Sequence, residues 1–392
     1  MSPSPRARLP RPGVLARSGD ATMTTVWSAH AVAAIADTPI RTSPLIDPAA
    51  GKPILPGFDL WDYWPVQERN GSTAQIAGGT LNMLLSAPIL PNPDQRHAIA
   101  RLRLMHQTPA GWRDLGPVLP DGLSPGSREW SGSAIVSPAH DRVTLYFTAA
   151  GHRDEAEVSF DQRMFECSAT LEIRDGVPRL TDWTTPVESI VADGVIYTRE
   201  MAGGGAIGTI KAFRDPAWFR DPVDGAEYLV FAASLAQSPS PWNGAVGLAR
   251  REGDRWALRS PIISADGVNN ELERPHLVHH HGRLYCFWST QQKVFARPGP
   301  AGPNGLYGMV AERIVGPWAP LNGTGLVFAN PATAPIQAYS WQVLGDLAVI
   351  NFIDRPGLTE EPTDSAIARR HFGGTPAEPL QLALNGNRAW LT

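Results

Sequence analysis

The sequence predicts an all-β protein, and within that class a five-bladed β-propeller with a short N-terminal helical segment and long loops around an axial pocket. Three observations carry this reading. Pro and Gly number 37 each and are scattered along the 392 residues, while helical apolar periodicity is scarce, so short strands and turns dominate. A polar strand, a turn and an apolar strand recur five times, in "DLWDYWPVQERNGSTAQIAGGTLNMLLSA", "WSGSAIVSPAHDRVTLYFTAA", "FRDPAWFRDPVDGAEYLVFAAS", "ERPHLVHHHGRLYCFWST" and "YSWQVLGDLAVINFID". Between them a Trp leads a further apolar strand ending in Asp-Gly, in "GWRDLGPVLPDG", "TDWTTPVESIVADG" and "DRWALRSPIISADG", with a looser form in "GPWAPLNGTGLVF".

Each unit thus supplies about four short strands, and a four-stranded antiparallel sheet repeated radially is a propeller blade. The spacing, roughly 60–80 residues, exceeds common propeller repeats and leaves room for long loops. A β-sandwich would use the same strands but gives no reason for the repeated Trp and Asp-Gly signals. The helix signal is "TTVWSAHAVAAIAD", residues 24–37. Residues 1–22 are rich in Pro and Arg and lack the apolar middle of a secretory signal; they read as a disordered arm, with Met23 an alternative start. Residues 23–392 then form one domain.

Composition removes several function classes. Net charge is −4, and no basic stripe argues for nucleic acid. No window approaches the ~18 consecutive apolar residues of a membrane span. Two cysteines, Cys167 and Cys286, make no disulfide framework in a chain of this length, and Cys286 in "RLYCFWS" reads as a buried thiol.

The third unit holds one tripeptide twice, Arg214-Asp215-Pro216 and Arg220-Asp221-Pro222. Pro222, Asp224 and Gly225 are turn residues, so the second copy is a hairpin tip. The first copy opens the innermost strand, beside the axis. The same position in the other units gives Asp62 in "LWDYWP", Trp130 and Ser131 in "EWSGS", Glu271 and Glu273 in "NNELERPH", and Tyr339 in "AYSW". Glu271 and Glu273 are two apart and share a strand face. Asp62, Asp215, Glu271 and Glu273 would therefore crowd one pocket, flanked by Trp61, Trp64 and Trp130.

Carboxylates beside indoles suit a sugar, and glycoside cleavage needs two carboxyl groups, one nucleophile or base and one acid. Crowding like charges raises one pKa and so creates the acid. The alternative is that these are strand-end carboxylates paired with Arg214 and Arg274.

With "WDYWP", "EWSGS", "FRDP", "ELERPH" and "GPNGLYGMV" followed by "PLNGTGLVF", the chain resembles the levansucrase and bacterial invertase family, glycoside hydrolase family 68, over about residues 24–354 and with the look of its Gram-negative branch. The resemblance implies a five-bladed propeller and a retaining mechanism on sucrose, with fructo-oligosaccharides as further partners and no cofactor. It implies Asp62 as nucleophile, Glu273 as acid/base and Asp215 as transition-state stabiliser. It also implies Trp61, Trp130, Ser131, Arg214, Glu271 and Tyr339 as sugar-binding residues. It favours an extracellular site of action, although no standard signal is visible. An arabinanase-like glycosidase and a non-catalytic sugar-binding propeller are the rival readings; "WDYWP" with "EWSGS" argues against the first, and an intact Asp62, Asp215 and Glu273 against the second.

Two departures stand out. In "FWSTQQKVFARPG", Gln291 occupies an acceptor-side position where the family usually has His or Arg, and a neutral amide cannot make the same charge-assisted hydrogen bond. Weak long-chain synthesis is the expectation. Gram-positive members place a calcium-binding Asp just before the paired glutamates; here that residue is Asn270, and the expectation is that no metal is required. "VHHHGR" tempts a metal reading, but His279, His280 and His281 alternate faces before Gly282 and read as a hairpin tip. His276 either lines the site or is packed. "GGGAIG", residues 203–208, lacks the Lys-Ser/Thr of a phosphate loop and reads as a loop near the site mouth.

Overall fold

The computed structural model describes residues 23–49, 51–200 and 209–392; the N-terminal arm and the glycine-rich stretch 203–208 lie outside the described residues. The chain is all-β, in four hydrogen-bonded sheets. The largest, of nine strands, consists of two antiparallel meanders. One runs Phe58–Gln67, Thr80–Pro88, Arg101–Thr108, Gly111–Pro117, and the other runs Arg128–Val136, Arg142–Ala150, Gln162–Arg174 with two short strands beside it. They meet only through parallel pairs Val66–Ala134 and Gln67–Ile135. The other sheets begin at Phe213–Arg220, Glu273–His280 and Ala338–Val343. Each recurrent Trp of the second element precedes or opens an outer strand, as Trp112 does in Gly111–Pro117 and Trp256 in Arg255–Ser264.

The five leading strands lie against one another in succession, and Phe58–Gln67 also packs on Ala348–Ile353 of the last sheet. Every one of them slips register near its start: between Leu60 and Tyr63, Trp130 and Gly132, Arg214 and Ala217, Glu273 and His276, and Tyr339 and Gln342. A bulge kinks the strand and re-aims its side chains. It also takes backbone groups out of the ladder, and these must find partners elsewhere. Neighbouring sheets supply them. Thr148 Oγ1 accepts from Asp215 N at 2.9 Å, and Ser133 Oγ bridges Pro216 O and Trp218 N, both at 2.9 Å. Ser289 Oγ accepts from Trp341 N at 2.9 Å, and His276 Nε2 from Val343 N at 2.8 Å.

The helical signal over 24–37 is realised in part. Thr25–Val26 pair with Arg255–Ser264 as a parallel edge of the sheet that holds Phe213–Arg220, and the helix is Ala29–Ala33, extended by a 3₁₀ turn to Asp37. The β-branched Thr24, Thr25 and Val26 favour the edge, and Ser28 caps the helix by accepting from Ala31 N. Trp27 between them is fully buried against Trp288 and Tyr307, ring centroids 5.3 and 5.2 Å away. The histidine triplet ends a hairpin, with His281 and Gly282 at positive φ. Both cysteines are buried free thiols. No helix among the described residues is long and apolar enough to cross a membrane.

The C-terminal segment returns to the first strand. Arg369, in the helix Ser365–His371, grips Asp59 through Nη1–Oδ2 at 2.6 Å and Nη2–Oδ1 at 2.9 Å, and Leu60 N donates to Gly374 O. Asp59 is buried, so losing the arginine strands a charge. Arg369→Met is expected to cost about 3 kcal/mol of unfolding free energy in urea titrations.

Candidate functional site

The leading-strand bulges gather the candidate residues. Asp215 follows Arg214 at φ 61°, and Arg274 follows Glu273 at φ 48°, conformations that non-glycine residues hold only under constraint. Arg214 is buried and faces three carboxylates. Its Nη2 donates to Glu273 Oε1 at 3.1 Å, its Nε lies 3.7 Å from Asp215 Oδ2, and its Nη2 lies 3.9 Å from Glu271 Oε2. Burial opposes the guanidinium charge, but Asp215, Glu273 and Glu271 together hold it protonated well beyond its ordinary range. Ser131 Oγ donates to Asp62 Oδ2 at 2.8 Å, as the placement of Ser131 on the adjacent bulge requires.

Glu273 keeps its side chain 21% exposed. Its Oε2 accepts from the Tyr339 hydroxyl, and the Gln291 side chain lies beside Tyr339. Both Glu273 oxygens therefore accept. Burial, Glu273 and Glu271 raise the Tyr339 phenol, so Tyr339 stays a donor. The effect of crowding is visible on Asp215. Burial first, then Glu273 and Asp62, push its carboxyl up to about 6 against the pull of Arg214 and of the Arg274 N–H. Asp215 is the more enclosed of the two, 7% exposed.

The indoles divide. Trp130 is half-buried, and its Nε1 donates to His97 O at 3.3 Å. Trp61 is buried under Arg96, 5.3 Å from the ring, and His97, 5.7 Å between centroids. Trp64, expected to flank the pocket, is instead fully buried in the core beneath Arg274, because the slip between Leu60 and Tyr63 turns the strand's later residues inward.

Arg274 clamps neither Glu271 nor Asp215 with its guanidinium. Its backbone N–H donates to Asp215 Oδ2 at 3.2 Å, while its side chain turns away to Ser340 Oγ, Tyr63 O and Gln342 Oε1 at 2.8, 2.8 and 2.6 Å. Positive φ accounts for the split. His276 is a packed histidine, its Nδ1 against Arg274 O; burial lowers it to about 4, so it is neutral. Asp221 closes the hairpin by accepting from Val223 N.

Sequence reasoning missed two contributors. His97 reaches the Trp61 ring from the 3₁₀ segment Pro93–Ala98, a loop without periodicity to read. Gln162 Oε1 accepts from Arg214 Nη1 at 3.3 Å and from Phe213 N at 3.1 Å; a lone polar residue opening a strand carries no signal. Among the described residues, no three His, Cys, Asp or Glu side chains gather as a metal site.

The raised Asp215 pKa has a stability consequence. The folded chain binds this proton more tightly than the unfolded chain, so ionisation costs stability above about pH 6 and nothing below about pH 4. By linkage the cost at neutral pH is on the order of 3 kcal/mol. Asp215→Asn is expected to raise the unfolding free energy at pH 7 by up to that amount, with the gain vanishing as pH falls to about 4, in paired denaturation curves.

The family model for levansucrase/invertase matches residues 17–241 and 238–392. A levansucrase of Pseudomonas savastanoi pv. glycinea is 30% identical, with 94% of this chain and 90% of the relative covered. A levansucrase of Zymomonas mobilis is 30% identical over the same shares. An inulosucrase from Halalkalicoccus jeotgali, solved bound to kestose, superimposes with TM-score 0.86 at 35% identity, covering 94% of this chain and 95% of that one. The levansucrase structure from Gluconacetobacter diazotrophicus shares the fold at TM-score 0.82 and 23% identity, covering 96% and 92%. The chain belongs to the levansucrase/invertase family.

Proposed function

We propose that this protein is a retaining, sucrose-active enzyme that transfers a fructosyl group to water or short sugar acceptors from the axial pocket of a five-bladed propeller. One observation carries the reading: Asp62, Asp215 and Glu273 stand at leading-strand bulges, with Arg214 contacting the latter two and Ser131 holding the first. The five-blade count is supported by the nine-stranded sheet, whose two meanders share two residue pairs and so count as separate blades.

The chemistry follows from the contacts. Ser131 donates to one oxygen of Asp62 and leaves the other oxygen to attack the anomeric carbon. Glu273 gives its proton to the departing glucose oxygen, then as a base draws a proton from the acceptor. For the first step it must be protonated, and Arg214 and Tyr339, which both donate to it, hold it in place. Asp215, buried beside Arg214, faces the charge that develops on the fructosyl ring.

Gln291 stands beside Tyr339, which donates to the acid/base Glu273, so the departure at this position bears on proton transfer as well as on acceptor binding. A neutral amide there holds the incoming sugar weakly, which favours water and short chains.

Purified protein fed sucrose is expected to release glucose, with free fructose at or below the glucose level according to how much fructose is transferred. Absence of glucose release would overturn the reading. Glu273→Gln is expected to slow glucose release by about 10²–10⁴-fold while sucrose still binds, measured by calorimetry on the variant. Gln291→Arg is expected to lower free fructose relative to glucose and lengthen the products; abundant high-molecular-weight fructan from the unmodified chain would contradict the role given to Gln291.

A further inference from the structure

The two strand starts that carry Arg214–Asp215 and Glu271–Glu273 are also tied together from behind, by a cation that belongs to the chain. Lys211 Nζ donates to Pro241 O, to Asn243 Oδ1 at 2.8 Å and to Asn270 Oδ1 at 2.9 Å. These acceptors are uncharged. Both amides are held in orientation by bonds of their own, since Asn243 Nδ2 donates to Leu235 O at 2.7 Å and Asn270 Nδ2 to Ile210 O at 2.8 Å. Each amide oxygen is thereby turned toward the lysine. Asn243 and Asn270 are buried and Lys211 is half-buried. Burial lowers the lysine from its ordinary value, while Glu271 supports its charge.

Carbonyl and amide oxygens converging on one charge are among the ligands that a hard metal cation uses, and three of them meet here. Here the charge sits on a side chain. Its place in the chain gives it leverage on the site. Lys211 lies three residues before Arg214, and Asn270 immediately precedes Glu271. Lys211 O also accepts from Gln162 Nε2 at 2.8 Å, and Gln162 Oε1 in turn accepts from Arg214 Nη1.

We infer that Lys211 is a positioning residue, an internal cation that fills an oxygen cage suited to a hard metal ion and fixes the strand of Arg214 and Asp215 against the segment of Glu271 and Glu273. Shortening the lysine empties a cage that can then accept an added cation.

The test uses the full chain, with Lys211→Ala, which opens the cage, and Lys211→Met, which keeps the stem without the charge. The kinetic arm rests on the sucrose reading above; the thermal arm does not. Both variants are expected to lose several degrees of Tm and at least tenfold in kcat for glucose release, with a smaller change in KM. Millimolar calcium chloride, or separately ethylammonium chloride, is expected to restore at least threefold of kcat and part of the Tm loss in Lys211→Ala, and to leave the unmodified chain and Lys211→Met unchanged. The inference is overturned if Lys211→Met matches the unmodified chain in Tm and kcat. It is equally overturned if a folded Lys211→Ala responds to neither cation. Should Lys211→Ala fail to fold in every medium, Lys211→Met decides: a tenfold loss of kcat with native near-ultraviolet dichroism supports the inference, and unchanged kcat contradicts it. Loss of glucose release in the unmodified chain would count against the sucrose reading alone, since the cation-dependent Tm would still report on the cage.

Discussion

The bulge at the start of each leading strand is the constraint on which the rest depends. Five strands that crowd together edge-inward cannot continue regular ladders at their crowded ends, and each slips register there. The slip has two effects at once. It swings Asp62, Ser131, Asp215 and Glu273 toward shared space, and it leaves backbone groups that only a neighbouring sheet can satisfy. Thr148, Ser133 and Ser289 satisfy them across sheet boundaries. The hydrogen bonds that join the sheets are therefore the same ones that set the site. Strain is part of the arrangement, since Asp215, Arg274 and Ser340 hold positive φ at roughly 1–3 kcal/mol each.

Electrostatics adds a second opposition between stability and function. Arg214 is one cation among three carboxylates, and burial raises its worth to each of them. One positive charge does not neutralise them all. The residual repulsion, with burial, falls visibly on Asp215, whose carboxyl rises to about 6. A carboxylate kept ionised at that expense destabilises the fold, and it is tolerable because Arg369–Asp59 and the packed indoles stabilise the structure elsewhere.

Much of this was legible in the sequence, for reasons that differ by residue. The strand–turn–strand recurrence was visible because each unit repeats the same polar start and apolar partner. The two Arg-Asp-Pro copies separated because only the second is followed by turn chemistry, and the histidine triplet was a hairpin tip because Gly282 follows it. The candidate residues could be gathered from the sequence because each stands near the start of its unit's leading strand. Direction was not. Trp64 and the Arg274 side chain point away from the pocket because a slip and a positive φ reverse alternation locally, and a period-two reading has no access to either. The oxygen cage of Lys211 joins residues 211, 241, 243 and 270, a convergence made by loops with no shared spacing.

The central claim is that Asp62 is the group that carries the fructosyl unit. The direct measurement is rapid quenching of the enzyme during sucrose turnover, followed by peptide mass mapping. The account predicts that the peptide containing Asp62 gains the mass of one fructosyl group, and that the gain disappears in Asp62→Asn. A gain on the peptide carrying Asp215 or Glu273 instead, or steady glucose release with no peptide modified under any quench, would contradict it.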